Sequence, residues 1–593
     1  MDPITAAGIG LSITSLALQV LSGCKKGYEL FVEMGGMPTK YRHLRTRLRI
    51  EQTRLLTWAE KIGLVEELLH EHSRTLSLNQ NLILDILLEI QFAFKSVVKV
   101  TNVYDSVVPQ HEISANTSTN SQISILRRTL YHLENPSKAI ARLEWAMVKQ
   151  EKFEELIMRL IGYNDRIESF LDRSTLQDLR TSQERSNLLL LQVSEQVGQL
   201  RALVDAVQLG TSRGRLPETQ RLSRSSTLAE PENAPASPFA DLVKFKLQQK
   251  AMDSAGEDLQ MLLSSSLLFP NGVPGAEPRT KTKLYGKSLW VEWSESVPET
   301  LGISDLVQMS EDRVSKLAAM LGSPNKPSAF RGPHCLGYVR QEDEVVGLRF
   351  GLVYDASSSL DDGTVGVRIQ SLRDLLQGTR KPSLTSRMAL ARQLTESLLY
   401  LHAVNWLHKG LRSDSIMFCS PIEHAWKDKD LEAPLVSGFE FSRPDISEEI
   451  TVKTTSRIEH DIYRHPDLLS YANLRSQKSH DIYSLGLVLL EIAFWEPIEV
   501  VAGISLTRKG ARAAILPIRD NLLTKSFRGY PSMWDALAAE MGDDFAEAVW
   551  KCLRGGLDIG LPPKADEADP QTGARIQEAF YQEVLTRVQH GYR

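Results

Sequence analysis

Apolar residues recur every three or four positions through most of the first 208 residues, and this region has no strand-like alternation. Such spacing is typical of helices that bury one face. Further along, Leu348–Tyr354 is a short apolar run rich in β-branched and aromatic residues, and Leu384–His402 returns to helical spacing. The pattern predicts a multidomain protein in which an all-α helical bundle precedes an α+β fold.

The chain from Pro3 to Cys24 carries no charge. At 100° per residue its larger apolar side chains form two opposed stripes, with Ile4, Leu11 and Leu18 on one side and Ile9, Ile13, Leu16 and Val20 on the other. Opposed stripes predict burial on all sides, in a protein core or in lipid. Because about 20 residues span a bilayer core of about 30 Å, a latent membrane helix and an ordinary core helix both remain open. Gly23 is predicted to end this helix.

Basic residues crowd the segment Tyr41–Arg49, which has helical spacing. A basic amphipathic helix can lie on anionic lipid. A solvated face with salt bridges is the favoured interpretation, because Glu51 and further glutamates follow. The net charge of −5 gives no overall basic field, which excludes nucleic acid as an expected partner.

Composition divides the chain into four parts. The helical bundle is predicted over 1–208, a flexible linker rich in Ser, Arg, Pro and Gly over 209–238, a helical brace over 239–270 and the α+β domain over 271–593. The four cysteines are too widely spaced for a disulfide framework, and no metal site is predicted from them.

Several landmarks in 1–208 resemble the HeLo domain of fungal incompatibility and cell-death proteins. They are Asp2, Ala7–Gly10, Ser15–Leu21, Gly23–Cys24, Gly27–Phe31, Arg47–Leu55 and Trp58. The resemblance implies a helical bundle whose N-terminal helix can leave the bundle, insert into a membrane and kill the cell. We therefore expect membrane lipids, further copies of the activated chain and an upstream receptor-like protein as partners. The expected location is the cytoplasm, with relocation to the plasma membrane on activation.

The second half carries motifs that resemble those of a protein kinase. Leu407–Phe418 is similar to the catalytic loop H-R-D-L-x-x-x-N, with His408 kept, Gly410 in place of the catalytic Asp and Ser415 in place of the metal-binding Asn. Val436–Glu440 is similar to the D-F-G segment, with Phe439 kept and Gly438 in place of its Asp. Ser294 stands where the strand Lys is expected. Asp481 opens a run that resembles the central helix of the kinase C-lobe.

These replacements predict a two-lobed kinase-like fold without catalytic residues, in which His408, Phe439 and Asp481 act as structural anchors. No cofactor is expected, although residual ATP binding stays open. Phosphoryl transfer depends on a base and on carboxylates that hold Mg²⁺, and glycine supplies neither. We expect a regulated membrane-disrupting effector whose kinase-like domain is a sensor or latch, a layout that resembles the mixed-lineage kinase domain-like executioners. The alternatives are a serine/threonine kinase using the displaced acids Asp414 or Glu440, and a non-toxic scaffold.

Overall fold

A computed structural model describes most of the chain, in two compact units. The described residues are 13–64, 74–97, 145, 148, 150–211, 238–254, 261–270, 272, 277–294, 303–343, 347–356, 366–378, 380–423, 426–439, 443–444, 457–470, 474–506, 511–555, 566–567 and 569–590. The first unit comprises Met1–Leu190 and Ser194–Pro235, and the second comprises Leu191–Val193 and Ala236–Arg593. Most of the predicted linker, 212–237, lies outside the described residues.

The N-terminal unit is built from long helices. They are α1 (Ile13–Val32), α2 (Arg42–Lys61), α3 (Arg74–Val97), α4 (Gln150–Glu168), α5 (Arg173–Val193, whose last three residues are grouped with the second unit) and α6 (Val197–Thr211). The apolar faces of α1 to α5 meet in one core, where the Phe94 ring lies 4.9 Å from Tyr28 and 5.4 Å from Phe31, measured between ring centroids. Helix α6 packs against α2. The expected helical bundle is therefore confirmed for this unit.

The first described helix differs from its prediction. Helix α1 does not end at Gly23 but continues to Val32. The residues after Gly23 bury Cys24, Tyr28 and Phe31 completely, and burying such side chains outweighs the roughly 1 kcal/mol that one helical glycine costs. No helix among the described residues is long and apolar enough to cross a membrane.

The basic segment at the start of α2 is also less solvated than expected. Arg47 is buried, pairs with the buried carboxylate of Glu51 and donates to the Ala206 carbonyl of α6. Arg54 bridges Glu51 at 2.9 Å and Glu168 of α4 at 2.8 Å. The interpretation as a solvated face is therefore wrong for Arg47, which is an internal ion-pair partner.

The second unit begins with helices and an antiparallel sheet. After α7 (Pro238–Ser254) and α8 (Ser265–Leu268), both within the predicted brace, come β1 (Arg279–Leu284), β2 (Lys287–Trp293), α9 (Ile303–Gly322), β3 (His334–Asp343) and β4 (Gly347–Asp355). The sheet order is β1-β2-β4-β3, all antiparallel, so the chain crosses through α9 between β2 and β3. Strand β2 is buried from Ser288 to Trp293, so both of its faces are covered.

The rest of this unit is mainly helical with short strands. The strands are β5 (Val367–Ser371), β6 (Trp406–Leu407), β7 (Ile416–Pro421), β8 (Leu435–Val436) and β9 (Arg443–Pro444), paired as β5-β7-β8 and β6-β9. The helices are α10 (Leu372–Leu376), α11 (Leu384–Ala403), α12 (Ile458–Asp461), α13 (Pro466–Ser470), α14 (Lys478–Phe494), α15 (Ile498–Val501), α16 (Ala511–Ile515), α17 (Ile518–Thr524), α18 (Met533–Met541), α19 (Asp543–Arg554), α20 (Pro570–Phe580) and α21 (Thr586–His590), with a π-helical turn at Tyr581–Leu585 before the last. Helix α14 is buried over most of its length and forms the centre of this half.

Candidate functional site

The first turn of α14 holds the main chain of the segment that follows β6. The Asp481 carboxylate accepts the backbone N–H groups of His408 at 2.7 Å and Lys409 at 2.8 Å, and it lies 3.3 Å from the His402 ring. Burial disfavours its charge, but the hydrogen bond and charge of His402, with His408 and the Lys409 amide, hold the pKa of Asp481 below its ordinary value. A buried anion therefore orients this loop through its main chain.

His408 and Phe439 link this loop to the segment after β8. The His408 ring nitrogen Nε2 is 3.0 Å from the Ser437 carbonyl, and its ring centroid is 4.8 Å from that of Phe439. All three residues are buried. The structure thus brings the three predicted anchors, His408, Phe439 and Asp481, to one place.

The three replaced positions in these loops also converge. A Cβ atom on Gly410 would lie 2.8 Å from the Gly438 carbonyl oxygen, and one on Gly438 would lie 2.8 Å from Cβ of Ser415. Gly438 has a φ of +84°, a region that favours glycine. The Ser415 hydroxyl donates to the Arg412 carbonyl at 2.8 Å and accepts the Arg412 N–H at 3.1 Å. Main chain and a local turn therefore fill the space where acidic side chains were expected.

The fourth predicted position, Ser294, is displaced from these loops. Its hydroxyl accepts the Phe350 N–H at 3.1 Å, beyond the end of β2. Glu292, two residues earlier, points at the loop instead and accepts the Gly438 N–H at 2.9 Å and the Ser437 hydroxyl at 2.7 Å. Glu292 rather than Ser294 therefore contacts this loop, and the assignment of Ser294 to the position of the strand Lys stays a prediction.

Glu292 is held by an arginine from the neighbouring strand. Arg279 of β1 donates to Glu292 at 2.7 Å and to the Asp414 carbonyl at 2.8 Å, so it joins the sheet to the loop before β7. Burial opposes ionisation of Glu292, but Arg279, Ser437 and the Gly438 amide hold the pKa of Glu292 below its ordinary value. We call Arg279, Glu292, Ser437 and Gly438 the Glu292 clasp.

The structure describes one of the two displaced acids of the kinase alternative, Asp414. Asp414 pairs with Arg412 and lies 3.6 Å from His460. Burial raises its pKa, but Arg412, His460 and Arg279 outweigh that effect and hold the Asp414 pKa well below its ordinary value. Glu440 lies outside the described residues. Within the part of the chain that is described, no group of three His, Cys, Asp or Glu residues could hold a metal ion.

The predicted insertion residues fall in or next to α1. Ile4, Ile9 and Leu11 lie outside the described residues, and Ile13 and Leu16 belong to the first turn of α1. Val20 is buried in the core, and Leu18 packs against it while partly exposed. Of the predicted insertion residues, the structure thus places Val20 in the bundle core and Leu18 against it.

Comparison with protein families separates the two halves of the chain. Residues 8–203 match the HeLo family, described as prion-inhibition and propagation. The N-terminal region is a HeLo domain. This confirms the predicted resemblance over residues 8–203, and a HeLo domain implies a function related to fungal cell death or incompatibility.

The region after the HeLo domain matches a different family. Residues 353–591 match DUF7580, a domain of unknown function. That description assigns neither a fold nor an activity, so the kinase-like fold stays a prediction. A search of curated proteins found no match.

Proposed function

We propose that this protein is a regulated membrane-disrupting effector of cell death or incompatibility, with a catalytically inactive kinase-like unit as its sensor or latch. The match of residues 8–203 to HeLo carries the proposal. In this proposal the uncharged segment Pro3–Ser22 enters the membrane after release from the bundle. The activated protein assembles from several copies and relocates to the plasma membrane.

Three observations support a kinase-like architecture for the second unit. An antiparallel sheet with the order β1-β2-β4-β3 and a helix between β2 and β3 precedes a mainly helical half. A buried Asp on the central helix α14 orients the main chain of the preceding loop. Two segments that resemble kinase motifs, marked by His408 and Phe439, meet beside it.

Three residues inside the second unit support the proposal that it has no kinase activity. Gly410 and Gly438 supply no carboxylate, and the Ser415 hydroxyl is engaged in its own turn. Removal of a general base alone costs about 10²–10⁴ in rate. We therefore expect no phosphorylation above background when the purified chain is incubated with Mg²⁺ and ATP. A robust signal that disappears on Asp414→Ala or Glu440→Ala would favour the kinase alternative.

The membrane step is tested with substitutions that favour insertion and disfavour a packed core. Gly8→Leu and Ser12→Leu each raise the apolar content of the N-terminal segment, while an added side chain in a filled core costs about 1–3 kcal/mol. We expect these variants of the full chain to release more dye from liposomes and to kill more cells on expression. Met158→Leu, at a partly exposed position of α4, is the control and should leave both readouts unchanged.

One further outcome would favour the scaffold over the effector, and another tests the latch. If Gly8→Leu and Ser12→Leu are less stable yet no more toxic, the N-terminal helix is a structural element and the scaffold replaces the effector. The latch also predicts that residues 1–208 expressed alone kill more cells than the full chain. Equal toxicity of the two would remove the regulatory role of the second unit.

A further inference from the structure

A network of charged side chains is buried inside the HeLo domain, where α2 meets α4. Glu51 of α2 is completely buried, and its carboxylate pairs with Arg47 and, at 2.9 Å, with Arg54. Asn164 of α4 is also completely buried and donates to this carboxylate at 2.7 Å and to the Glu51 carbonyl at 3.0 Å. Arg54 donates to the Glu168 carboxylate of α4 at 2.9 Å and 2.8 Å. We call Arg47, Glu51, Arg54, Asn164 and Glu168 the Glu51 network.

The Glu51 network is not fully compensated for its burial. Nε of Arg47 and Oδ1 of Asn164 are buried and make no hydrogen bond within the part of the chain that is described. Burial also outweighs the attraction of Glu51 and holds the pKa of Arg47 below its ordinary value. A buried polar group that lacks a partner has lost the hydration that it would have in water. Water that reached this place would therefore solvate groups that the closed bundle leaves without compensation.

A buried ionic network makes a closed core conditional on all of its members. Charges that leave water lose hydration, which their mutual attraction only partly returns, so replacing a buried ion pair by well-packed apolar residues is often neutral or stabilising. Removal of one partner is destabilising, because the other charge stays buried and unpaired. The contact between α2 and α4 is therefore favourable only while the whole Glu51 network is in place, and hydration of its members favours separation.

The contact between α1 and α3 has the opposite character. A Cβ atom on Gly27 would lie 2.6 Å from the Phe94 ring, and Tyr28 and Phe31 are completely buried beside that ring. Water that separated these helices would meet apolar surface, which is unfavourable. Of these two contacts in the HeLo domain, the one between α2 and α4 is therefore the one that opens more easily.

We propose that the Glu51 network is a release point of the HeLo domain, at which α2 separates from α4 while the half of α1 after Gly23 stays packed on α3. Separation uncovers the buried apolar face of α2, which includes Leu48, Leu55 and Trp58. Helix α2 also packs against α1, so its separation takes a neighbour away from α1, as release of Pro3–Ser22 requires. The link to membrane disruption rests on the proposed function, whereas the opening itself does not.

The first test is hydrogen exchange of the unchanged full chain, followed by mass spectrometry. Most helical stability in proteins comes from tertiary packing, so α2 loses its amide protection once it separates. We expect the amides of α2 to exchange about tenfold faster than those of α3. Exchange in α2 that is as slow as in α3, or slower, would overturn the proposal.

The second test replaces the centre of the network by apolar residues. The triple variant carries Arg47→Met, Glu51→Leu and Asn164→Leu, while Arg54 keeps its bonds to Glu168. Exchange in α2 should slow about tenfold and dye release from liposomes should fall, because the open state no longer gains hydration at this place. The single variant Glu51→Gln leaves Arg47 without its buried anion, so it should change both readouts in the opposite direction.

The matched control removes an exposed ion pair of α4. Lys152→Met with Glu155→Leu should leave exchange in α2 unchanged. If the triple variant fails to fold, Glu51→Gln and the comparison of α2 with α3 still decide. Faster exchange in a folded triple variant would mean that the network stabilises the closed bundle, and the proposal would fail. Slower exchange with undiminished dye release would support the release point and contradict the membrane step of the proposed function instead.

Discussion

In the HeLo domain glycine brings two helices together, whereas in the second unit it brings two loops together. A Cβ atom on Gly27 of α1 would lie 2.6 Å from the Phe94 ring of α3. A Cβ atom on Gly410 would meet main chain from the Gly438 loop instead. The helical contact supports an apolar core, while the loop contact occupies a place where acidic side chains were expected. The same residue type thus allows helices to pack in one region and lets two loops approach closely in the other.

The largest effect is expected from placing an acid in the loop contact. Gly438→Asp should lower the stability of the second unit by about 3 kcal/mol or more, because strain at φ +84° and overpacking against Ser415 each cost about 1–3 kcal/mol. It should also give no phosphoryl transfer. Chemical denaturation and a phosphorylation assay measure the two results.

The control for this variant separates strain from crowding. Gly503 has a φ of +66° and nothing within 4 Å of a built Cβ, so Gly503→Asp should carry only the strain of about 1–3 kcal/mol. Equal losses for the two variants would mean that the Gly410 and Gly438 loops are not tightly packed.

The helical contact is tested with a pair of glycines in the same unit. Gly27→Ala should cost about 1–3 kcal/mol, because the methyl group must displace a buried ring. Gly162 of α4 has nothing within 4 Å of a built Cβ, so Gly162→Ala should stabilise by about 0.5–1 kcal/mol through helix propensity. Opposite signs in denaturant unfolding are expected. Matching signs would contradict the close approach of α1 and α3.

The smallest effect is expected from a comparison of two buried carboxylates in the second unit. Glu292 lies beside Arg279, whereas Glu491 accepts hydrogen bonds from Tyr463 at 2.6 Å, Ser413 at 3.0 Å and the Ile498 amide at 2.9 Å. Burial raises the pKa of Glu491 from 4.5 to about 8 despite these bonds. A cation donates directly to Glu292, whereas the hydrogen bonds to Glu491 come from neutral groups and the charge of Arg373 lowers the Glu491 pKa only as a lesser effect.

The pKa of Glu491 predicts a pH dependence of stability. Between about pH 4.5 and pH 8 the folded state keeps a proton that the unfolded state has lost, so this group makes stability fall as pH rises. The slope is at most about 1.4 kcal/mol per pH unit. Glu491→Gln should remove it from denaturation curves taken across this range, and Glu496→Gln, at a more exposed site, should not. A slope that persists in Glu491→Gln would assign the dependence to another group.

The helices were more predictable than the site. Three- and four-residue spacing indicated the bundle, because each helix buries one face. The contact of Glu292 with the loop could not be predicted because β2 is buried on both faces, so alternation along it does not indicate which residue reaches the loop. The register that places Glu292 against Gly438 depends on contacts across 146 residues, which no local pattern contains.

The charged residues of α2 are a second case in which the sequence could not predict a long-range contact. The four-residue spacing of Arg47 and Glu51 was visible in the sequence, and it is an ion pair in the structure. Burial of this pair depends on α4, where Asn164 donates to Glu51 at 2.7 Å. Because that partner is 113 residues away, the sequence could suggest the pair but not its burial.

The Glu292 clasp bears on how this protein could change over evolutionary time. An acid introduced at position 438 would confront the Glu292 carboxylate, and a Lys introduced at position 292 would lose the contacts that Gly438 and Ser437 now make. Each single substitution is therefore unfavourable while the other is absent. Such mutual dependence makes the clasp hard to change one residue at a time, so substitutions are tolerated more easily around these loops than within it.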